Sequence, residues 1–504
     1  MTFASENIWH GLMSGVLVLI WLTPFSWGPT PTFLPWLISA LGAVMVWVLR
    51  RWLSVSKVAQ TWLLAALISA CIGLLQYFGQ TQSLGPWVHT TALGEAFANL
   101  RQRNQFATLT SIGLQALLWW AAQHQTVVAR SAQAGRPALW FLGVGAILLA
   151  FGNAASGSRT GFVQWVLVFG LAFVWAAPGQ RRVPLVAAFA LAAYVFAALA
   201  LPWVLQAVVG VQSGGLLGRF DEEAGCSSRR VLWSDVLHLI AQKPWAGWGW
   251  GNLDFAHFTT VYPGERFCDI LDNAHNLLLH LAVELGAPVA VAFCALCTWL
   301  IWRNRPWAET DPTRQMAWSV LAVIGVHSML EYPLWYGPFQ LAVALCIWML
   351  WPTRQTAANM EKKQAVAHGY IAWSATILIA CCAYAAWDYW RISQIYLPPS
   401  ARNAAYRDDT LAKIQGSWLF RDQVRFAELT TTTLTPENAA HVNALAQDML
   451  HFSPESRVVE KLIESAVMLG DDAQALFYLE RFKAAFPQQH ARWSAKLKAP
   501  QPAD

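Results

Sequence analysis

Long apolar runs, returning again and again along the chain, constrain this sequence more than any other feature. Most are roughly 18 to 25 residues long, enough to cross a hydrocarbon core of about 30 Å as an α-helix. Eleven such runs can be drawn, over about residues 8–27, 33–49, 58–79, 105–123, 137–154, 160–177, 183–209, 274–302, 315–333, 337–351 and 369–390. In lipid a backbone must satisfy its own hydrogen bonds, so runs of this kind are read as helices. A chain that is 56% hydrophobic, only 12% charged and carries 30 tryptophans lies outside the range of soluble domains. The expected fold class is all-α, a polytopic membrane protein with about eleven transmembrane helices.

Basic residues between the runs set the orientation, because short cytoplasmic loops concentrate Lys and Arg. With the N-terminus inside, the cytoplasmic loops carry Arg50, Arg51 and Lys57; Arg130 and Arg136; Arg181 and Arg182; Arg303, Arg305 and Arg314; and Arg354, Lys362 and Lys363. The first run lacks a basic leader and a small-residue cleavage site, so it reads as a retained helix rather than a signal peptide. An odd helix count then puts three segments on the far side: a middle loop over about 80–104, a large loop over about 210–273 and a tail from about 391. The net charge of +5 mostly reflects the inside bias and gives no reason to expect a nucleic-acid partner. The expected domain organisation is 1–104 for the N-terminal helices and first loops, 105–352 for a membrane core containing the large loop, 353–390 for the last transmembrane helix, and 391–504 for a helical tail.

In the tail, charges of both signs balance and apolar residues recur at helical spacing, as at Val458, Leu462, Ala466 and Leu469. The stretch from Gly470 to Pro487 has the small residue, aromatics and closing proline of a tetratricopeptide-like helix pair, although a generic helical cap fits as well. Six of the eight cysteines fall within apolar runs, where they read as small apolar residues. Cys226 and Cys268 both lie in the large far-side loop, and are expected to pair as a disulfide if that compartment is oxidising.

The same loop contains a helical stripe at Leu232, Val236, Leu239 and Ile240, preceded by serine caps and stopped by Pro244. Arg229 and Arg230 fall in its first turn. The helix dipole disfavours cations there while the exposed amides attract anions, so arginines in that place make most sense beside a phosphate. Arg159 lies in Ser158-Arg-Thr-Gly161 at the outer mouth of the sixth run; taken alone it reads more readily as an interfacial anchor than as a ligand.

His275 stands where a polar loop, Asp272-Asn-Ala-His-Asn276, becomes an apolar helix. If that helix enters a membrane, the imidazole sits at the water boundary, where a base can meet a lipid-borne substrate. Its bland reading, shared with Asn276, is local hydrogen bonding at a helix start. Asp269, Asp272 and His275 match no strong ligand spacing, and no metal site is expected. Glu284 is half a turn out of phase with His275, so the two are not expected to face each other. His327 and Glu331, one turn apart, and Tyr332 are read as a polar cluster closing a helix end, or as secondary site residues. Arg101 and Arg103 read as interfacial anchors.

Taken together, Ser158-Arg-Thr-Gly, Arg229 four residues before Trp233, the Pro244–Gly251 turn, and Ala274-His-Asn-Leu-Leu running on to Glu284-Leu-Gly resemble the Wzy_C domain of the O-antigen ligase superfamily. The resemblance spans about residues 100–350. Arg101-Gln-Arg-Asn-Gln-Phe-Ala and His327-Ser-Met-Leu-Glu-Tyr-Pro-Leu-Trp-Tyr-Gly-Pro-Phe339 are similar to bacterial protein O-oligosaccharyltransferases of the PglL type, which glycosylate pilins and other exported proteins. This resemblance implies a GT-C-like glycosyltransferase of the bacterial inner membrane, with the large loop, the active site and the tail in the periplasm. It implies an undecaprenyl-diphosphate-linked oligosaccharide as donor, Ser or Thr of an acceptor protein as acceptor, membrane lipids as surroundings, and neither metal nor cofactor. His275 matches the family's catalytic histidine, and Arg229 and Arg159 match arginines beside the donor diphosphate. Arg230 has no clear counterpart.

Two other readings stand beside this one. A lipopolysaccharide O-antigen ligase or polymerase would share the central fold; the Glu331–Phe339 stretch and the helical tail argue against it. A transporter or scaffold would more often show paired halves and interrupted central helices; no internal repeat of that kind is visible.

Overall fold

A computed structural model gives the fold, and describes residues 2–128, 135–177, 181–211, 215, 225–351 and 360–498. Of the basic loop residues named above, Arg130 and Arg354 lie outside these. Among the described residues every regular element is helical. The chain divides into two compact units, Met1–Glu222 with Leu300–Tyr384, and Glu223–Trp299 with Ala385–Asp504.

The first unit contains α1 (Thr2–Leu22), α2 (Phe33–Val48), α3 (Val55–Tyr77), α4 (Arg103–Val128), α5 (Gly135–Ala155), α6 (Arg159–Val174) and α7 (Arg182–Val209). In the second unit, α8 (Arg229–Gln242), α9 (Leu253–Thr259) and α10 (Leu277–Leu285) form the large loop. They are followed by α11 (Ala287–Asn304), whose last residues belong to the first unit, as do α12 (Pro312–Ser328) and α13 (Gly337–Leu350). The long α14 (Met360–Ser393) ends in the second unit, and the tail follows as α15 (Thr410–Ile414), α16 (Arg421–Thr431), α17 (Ala439–Met449), α18 (Ser456–Met468), α19 (Asp472–Ala485) and α20 (Pro487–Lys498).

Helix α4 is the axis of the first unit and packs against α3, α5, α6, α7 and α12. Phe106, Leu109, Ile112 and Leu117 are wholly buried along it. So are polar residues that lipid would not tolerate, Thr108, Thr110 and Ser111, and each has a hydrogen-bond partner in the protein. Small residues let its neighbours come close: a Cβ added at Gly113 would lie 2.3 Å from the Ala66 side chain, and one added at Gly152 would lie 2.6 Å from Ala70. The peripheral helices show the inverse pattern. Leu185, Phe196 and Trp203 on α7, and Val291, Trp299 and Trp302 on α11, project outward uncovered. Among the described residues, four helical segments, Val55–Tyr77, Arg182–Val209, Ala287–Ala308 and Gly369–Tyr396, are long and apolar enough to cross a bilayer. Shorter apolar helices cover Trp9–Leu22, Phe33–Val48, Leu139–Ala155, Arg159–Val174 and Gly337–Leu350.

One apolar run departs from expectation. Residues 274–302 do not form a single helix but break at Gly286, whose φ of 91° and ψ of 156° only glycine adopts readily. The break is enforced by the Pro244–Gly251 turn, which lies backbone to backbone against it. Trp248 and Gly249 donate to the carbonyls of Val283 and Glu284, both at 2.9 Å, and Ala287 donates to Pro244 at 2.8 Å. A Cβ at Gly286 would lie 2.2 Å from the Trp245 carbonyl oxygen, and one at Gly247 2.4 Å from the Glu284 backbone. In the tail, Val458, Leu462 and Ala466 are buried as their spacing predicts, but Leu469, which closes α18, is exposed. Gly470 turns the chain there with φ of 73°, and Pro487 opens α20 as well as ending α19.

Candidate active site

The second unit's large loop is built around α8. Ser228 caps it, its hydroxyl accepting from Val231 N at 3.4 Å, so Arg229 and Arg230 occupy the first turn. Leu232, Val236 and Leu239 are buried against Leu253, Phe267, Leu271, Ala274 and Val283, with Ile240 at the edge of the same cluster. A buried polar set lies beneath. Asp235 accepts from Phe267 N at 2.9 Å, and Arg266 donates to the carbonyls of His257 (2.8 Å) and Thr260 (3.0 Å). Burial, helped by the Arg266 charge, pushes the His257 imidazole down to about 3, so it is neutral. Its Nε2 lies 3.1 Å from the Phe267 carbonyl, which can only accept, so Nε2 carries the proton and Nδ1 accepts from the Tyr262 hydroxyl at 2.8 Å. Cys226 and Cys268 are joined as a disulfide with Cα atoms 5.4 Å apart, and Ser227 donates to Asp269 at 3.0 Å beside it. The bond ties the chain entering α8 to the strand of loop that leads to His275.

A second tie runs from α8 to that histidine. Trp233, one turn beyond Arg229, donates through Nε1 to the carbonyl of Ala274 at 3.1 Å. His275 then turns left-handed with φ of 50°, its amide donating to Asn273 Oδ1 at 2.9 Å. Asn276 is the N-cap of α10, accepting from Leu278 N and Leu279 N at 3.1 and 3.2 Å. A left-handed non-glycine residue is strained, and such strain concentrates at functional positions. The partly exposed imidazole thus sits just ahead of a capped helix N-terminus, on the same packed block as Arg229.

Below it lie groups to which the sequence reading gave no role. His280 and Glu284, both buried, approach to 3.4 Å at i,i+4 spacing; burial, and then the nearby His275 charge, lower His280 to about 4. That spacing was visible in the sequence. Asp254 on α9 is raised to about 7, chiefly by burial and further by the Asp272 and Glu284 carboxylates, against the hydrogen bond it accepts from Phe255 N at 2.7 Å. No spacing pattern pointed to Asp254 or His257.

The remaining motifs meet in the first unit. Ser158 caps α6, accepting from Gly161 N at 3.0 Å, which places Arg159 in its first turn. The Ser158 hydroxyl donates to Asn104 Oδ1 at 2.6 Å, and Asn104 Nδ2 donates to Glu331 Oε1 at 3.2 Å. His327, fully buried, has Nδ1 2.9 Å from the Thr108 hydroxyl, which also accepts from Gln164 at 2.8 Å. Tyr332 stacks on Tyr336 with ring centroids 6.0 Å apart. The Arg101-to-Gln105, Ser158-Arg-Thr-Gly and His327-to-Glu331 motifs are therefore one hydrogen-bonded assembly, with Asn104, singled out by no sequence argument, at its centre. Arg101 donates to Ser26, and Arg103 pairs with Glu95. Among the described residues, no group of three or more His, Cys, Asp or Glu is arranged to hold a metal ion.

Comparison with known proteins follows the same three stretches. Residues 96–121 match the protein glycosylation ligase family, residues 144–294 the O-antigen ligase family, and residues 315–499 the C-terminal region of the virulence factor membrane-bound polymerase family. The second of these spans Arg159, Arg229, the tryptophan-rich turn and His275. Among curated proteins, the chain is 25% identical over 297 residues to a general O-oligosaccharyltransferase of Acinetobacter baylyi, covering 56% of this chain and 48% of that protein. It is 23% identical over 295 residues to a ComP-specific O-oligosaccharyltransferase of the same organism, covering 58% and 51%. An O-antigen ligase of Pseudomonas aeruginosa is 27% identical over 252 residues, covering 49% and 52%. The chain thus spans about half the length of the curated relatives it matches. No solved structure matches it. The family matches fall in order on the three motif groups, and the chain is similar, over about half its length, to O-oligosaccharyltransferases and an O-antigen ligase.

Proposed function

We propose that this protein transfers a preassembled oligosaccharide from undecaprenyl diphosphate to Ser or Thr hydroxyls of exported proteins such as pilins. In this reading it lies in the bacterial inner membrane with about eleven spans. The N-terminus is cytoplasmic, and the large loop and the tail from about residue 391 are periplasmic. Residues 105–352 are the catalytic core. The observation that carries the reading is the strained His275, held ahead of the α10 N-terminus and tied to the Arg229 helix by Trp233.

In the reaction, His275 takes the proton of the acceptor hydroxyl as its oxygen attacks the anomeric carbon. The bond from that carbon to the diphosphate oxygen breaks, and its electrons leave with the lipid diphosphate. Arg229 meets the growing negative charge through paired N–H donors, assisted by the α8 N-terminal dipole. A single displacement of this kind inverts the anomeric centre. The role of Arg159 rests on its place in Ser158-Arg-Thr-Gly161. Arg230, Asn276, His327, Glu331 and Tyr332 act in support, Asn276 by capping α10 and Glu331 through Asn104.

The test is reconstitution of the purified protein with a lipid-linked glycan and a candidate pilin, scored by a mass shift on the pilin. His275→Ala should abolish transfer while expression and membrane insertion stay normal; near-normal transfer by this variant would remove the mechanism. The likeness to an O-antigen ligase keeps a second outcome in view. Sugar appearing on lipid A core and not on protein would assign the chain to lipopolysaccharide ligation instead.

A further inference from the structure

The Pro244–Gly251 turn exposes two large aromatic side chains, Trp245 at 81% and Trp250 at 59%, while the tryptophan between them is tucked in. Trp248 donates to the Leu239 carbonyl at 3.0 Å and lies under the Lys243 ammonium, 3.9 Å from its ring centroid. Uncovered indoles are costly in water and need an explanation. Their place in the chain supplies one. The turn is locked by backbone contact to Gly286 and Ala287, and Ala287 is the first residue of a candidate membrane span.

The length of that span fixes where its first residue lies. Helix α11 has 18 residues, a rise of about 27 Å, against a hydrocarbon core of about 30 Å. The candidate span continues to Ala308, but Arg303 already charges the last turn of the helix, so the apolar length from Ala287 to Trp302 has nothing to spare and Ala287 sits at the core boundary. Trp245, whose carbonyl packs against Gly286, then lies at headgroup level, where indoles partition best. The Lys243 ammonium, over the Trp248 ring, suits lipid phosphates.

We infer that the Pro244–Gly251 turn is an interfacial anchor, with Trp245 and Trp250 seated in the headgroup region of a bilayer containing anionic phospholipid. Because α8 runs directly into the turn and α10 is bonded to it, the anchor fixes the depth of the block carrying Arg229 and His275. That consequence rests on the function proposed above; the anchoring itself does not.

The test has two arms. Full-length protein carrying Trp245→p-benzoylphenylalanine is placed in phosphatidylethanolamine–phosphatidylglycerol vesicles and irradiated. Phospholipid adducts on the peptide containing position 245 are expected. Crosslinks only to protein, whether a second copy or an acceptor, or no adduct at all, overturn the anchor. In the second arm, the double variant Trp245→Ser, Trp250→Ser is assayed for transfer. A several-fold rise in KM for lipid-linked donor in vesicles is expected, with kcat retained and no change for a short-chain, water-soluble donor in detergent. Equal losses with both donors, or none with either, overturn the depth-setting role. If His275 proves dispensable while lipid adducts still form, the catalytic reading fails and the anchor stands.

Discussion

Replacing Gly286 by alanine tests how far the tryptophan turn and the helix break hold the second unit together. The backbone at Gly286, with φ of 91° and ψ of 156°, lies in a region that costs a residue with a Cβ about 1–3 kcal/mol. The new Cβ would also fall 2.2 Å from the Trp245 carbonyl oxygen and 2.6 Å from its carbon. Backbone on both sides leaves no flexible side chain to yield. Relief means parting the strands and weakening the bonds from Ala287 to Pro244 and from Gly249 to Glu284, each worth about 0.5–1.5 kcal/mol net. The expected loss is about 3 kcal/mol or more, and for a unit of this size it should lower the melting temperature by roughly 6–12 °C. Gly264→Ala is the matched control, since nothing lies within 4 Å of a Cβ added there. Thermal unfolding of the purified protein in detergent reads the difference. Equal melting temperatures for the two variants would refute the argument that this backbone contact is required.

Arg229→Ala and Arg159→Ala should each reduce glycan transfer, and Arg229→Lys should restore it only in part, because an ammonium cannot reproduce the paired guanidinium donors; full activity of both alanine variants would leave the donor diphosphate without these ligands. The Cys226–Cys268 bond closes a loop with a sequence separation of 42 and should contribute about 3–4 kcal/mol. Cys226→Ser should therefore melt lower than the parent, and non-reducing mass spectrometry that found both thiols free would remove the bond. Asp254, raised from 3.8 to about 7, holds its proton more tightly folded than unfolded, so its stabilising contribution is complete below pH 4 and is lost as pH rises through 7. Asp254→Asn should accordingly melt higher than the parent at pH 8, with the gap closing towards pH 4; a gap that did not vary with pH would contradict the shift.

Periodicity carried the helical class and the α8 stripe, since Leu232, Val236 and Leu239 follow directly from which face a helix buries. The same logic failed at Gly286. Ala274 to Trp302 is mostly apolar, and although Gly286 and Pro288 are local signals of a break, nothing local says that a turn some 40 residues upstream will press against it. His275 and Arg229 were legible as candidates because each stands at a helix start, a place with its own chemistry. Asp254, His257 and Asn104 were not, because their significance comes from partners distant in sequence. A half-buried asparagine joining Ser158 to Glu331 looks, in one dimension, like any polar residue in an arginine-rich segment.

The enclosure of α4 has a consequence for biogenesis. With Gln105, Thr108, Thr110, Ser111 and Gln115 all buried, this helix partitions poorly into lipid by itself, and it is absent from the segments apolar enough to cross unaided. In the eleven-span reading proposed above, its entry into the bilayer is cooperative. Helix α3, which emerges from the ribosome earlier and is apolar enough to insert alone, offers the small-residue surface at Ala66 onto which Gly113 closes. Helix α5, made next, completes the sleeve through Asn153, which donates to Ala107 and Thr110 at 3.0 and 2.7 Å. On that reading insertion proceeds as a three-helix packet, and a bulky residue at Ala66 should deprive α4 of its α3 surface, so that α5 alone cannot complete it.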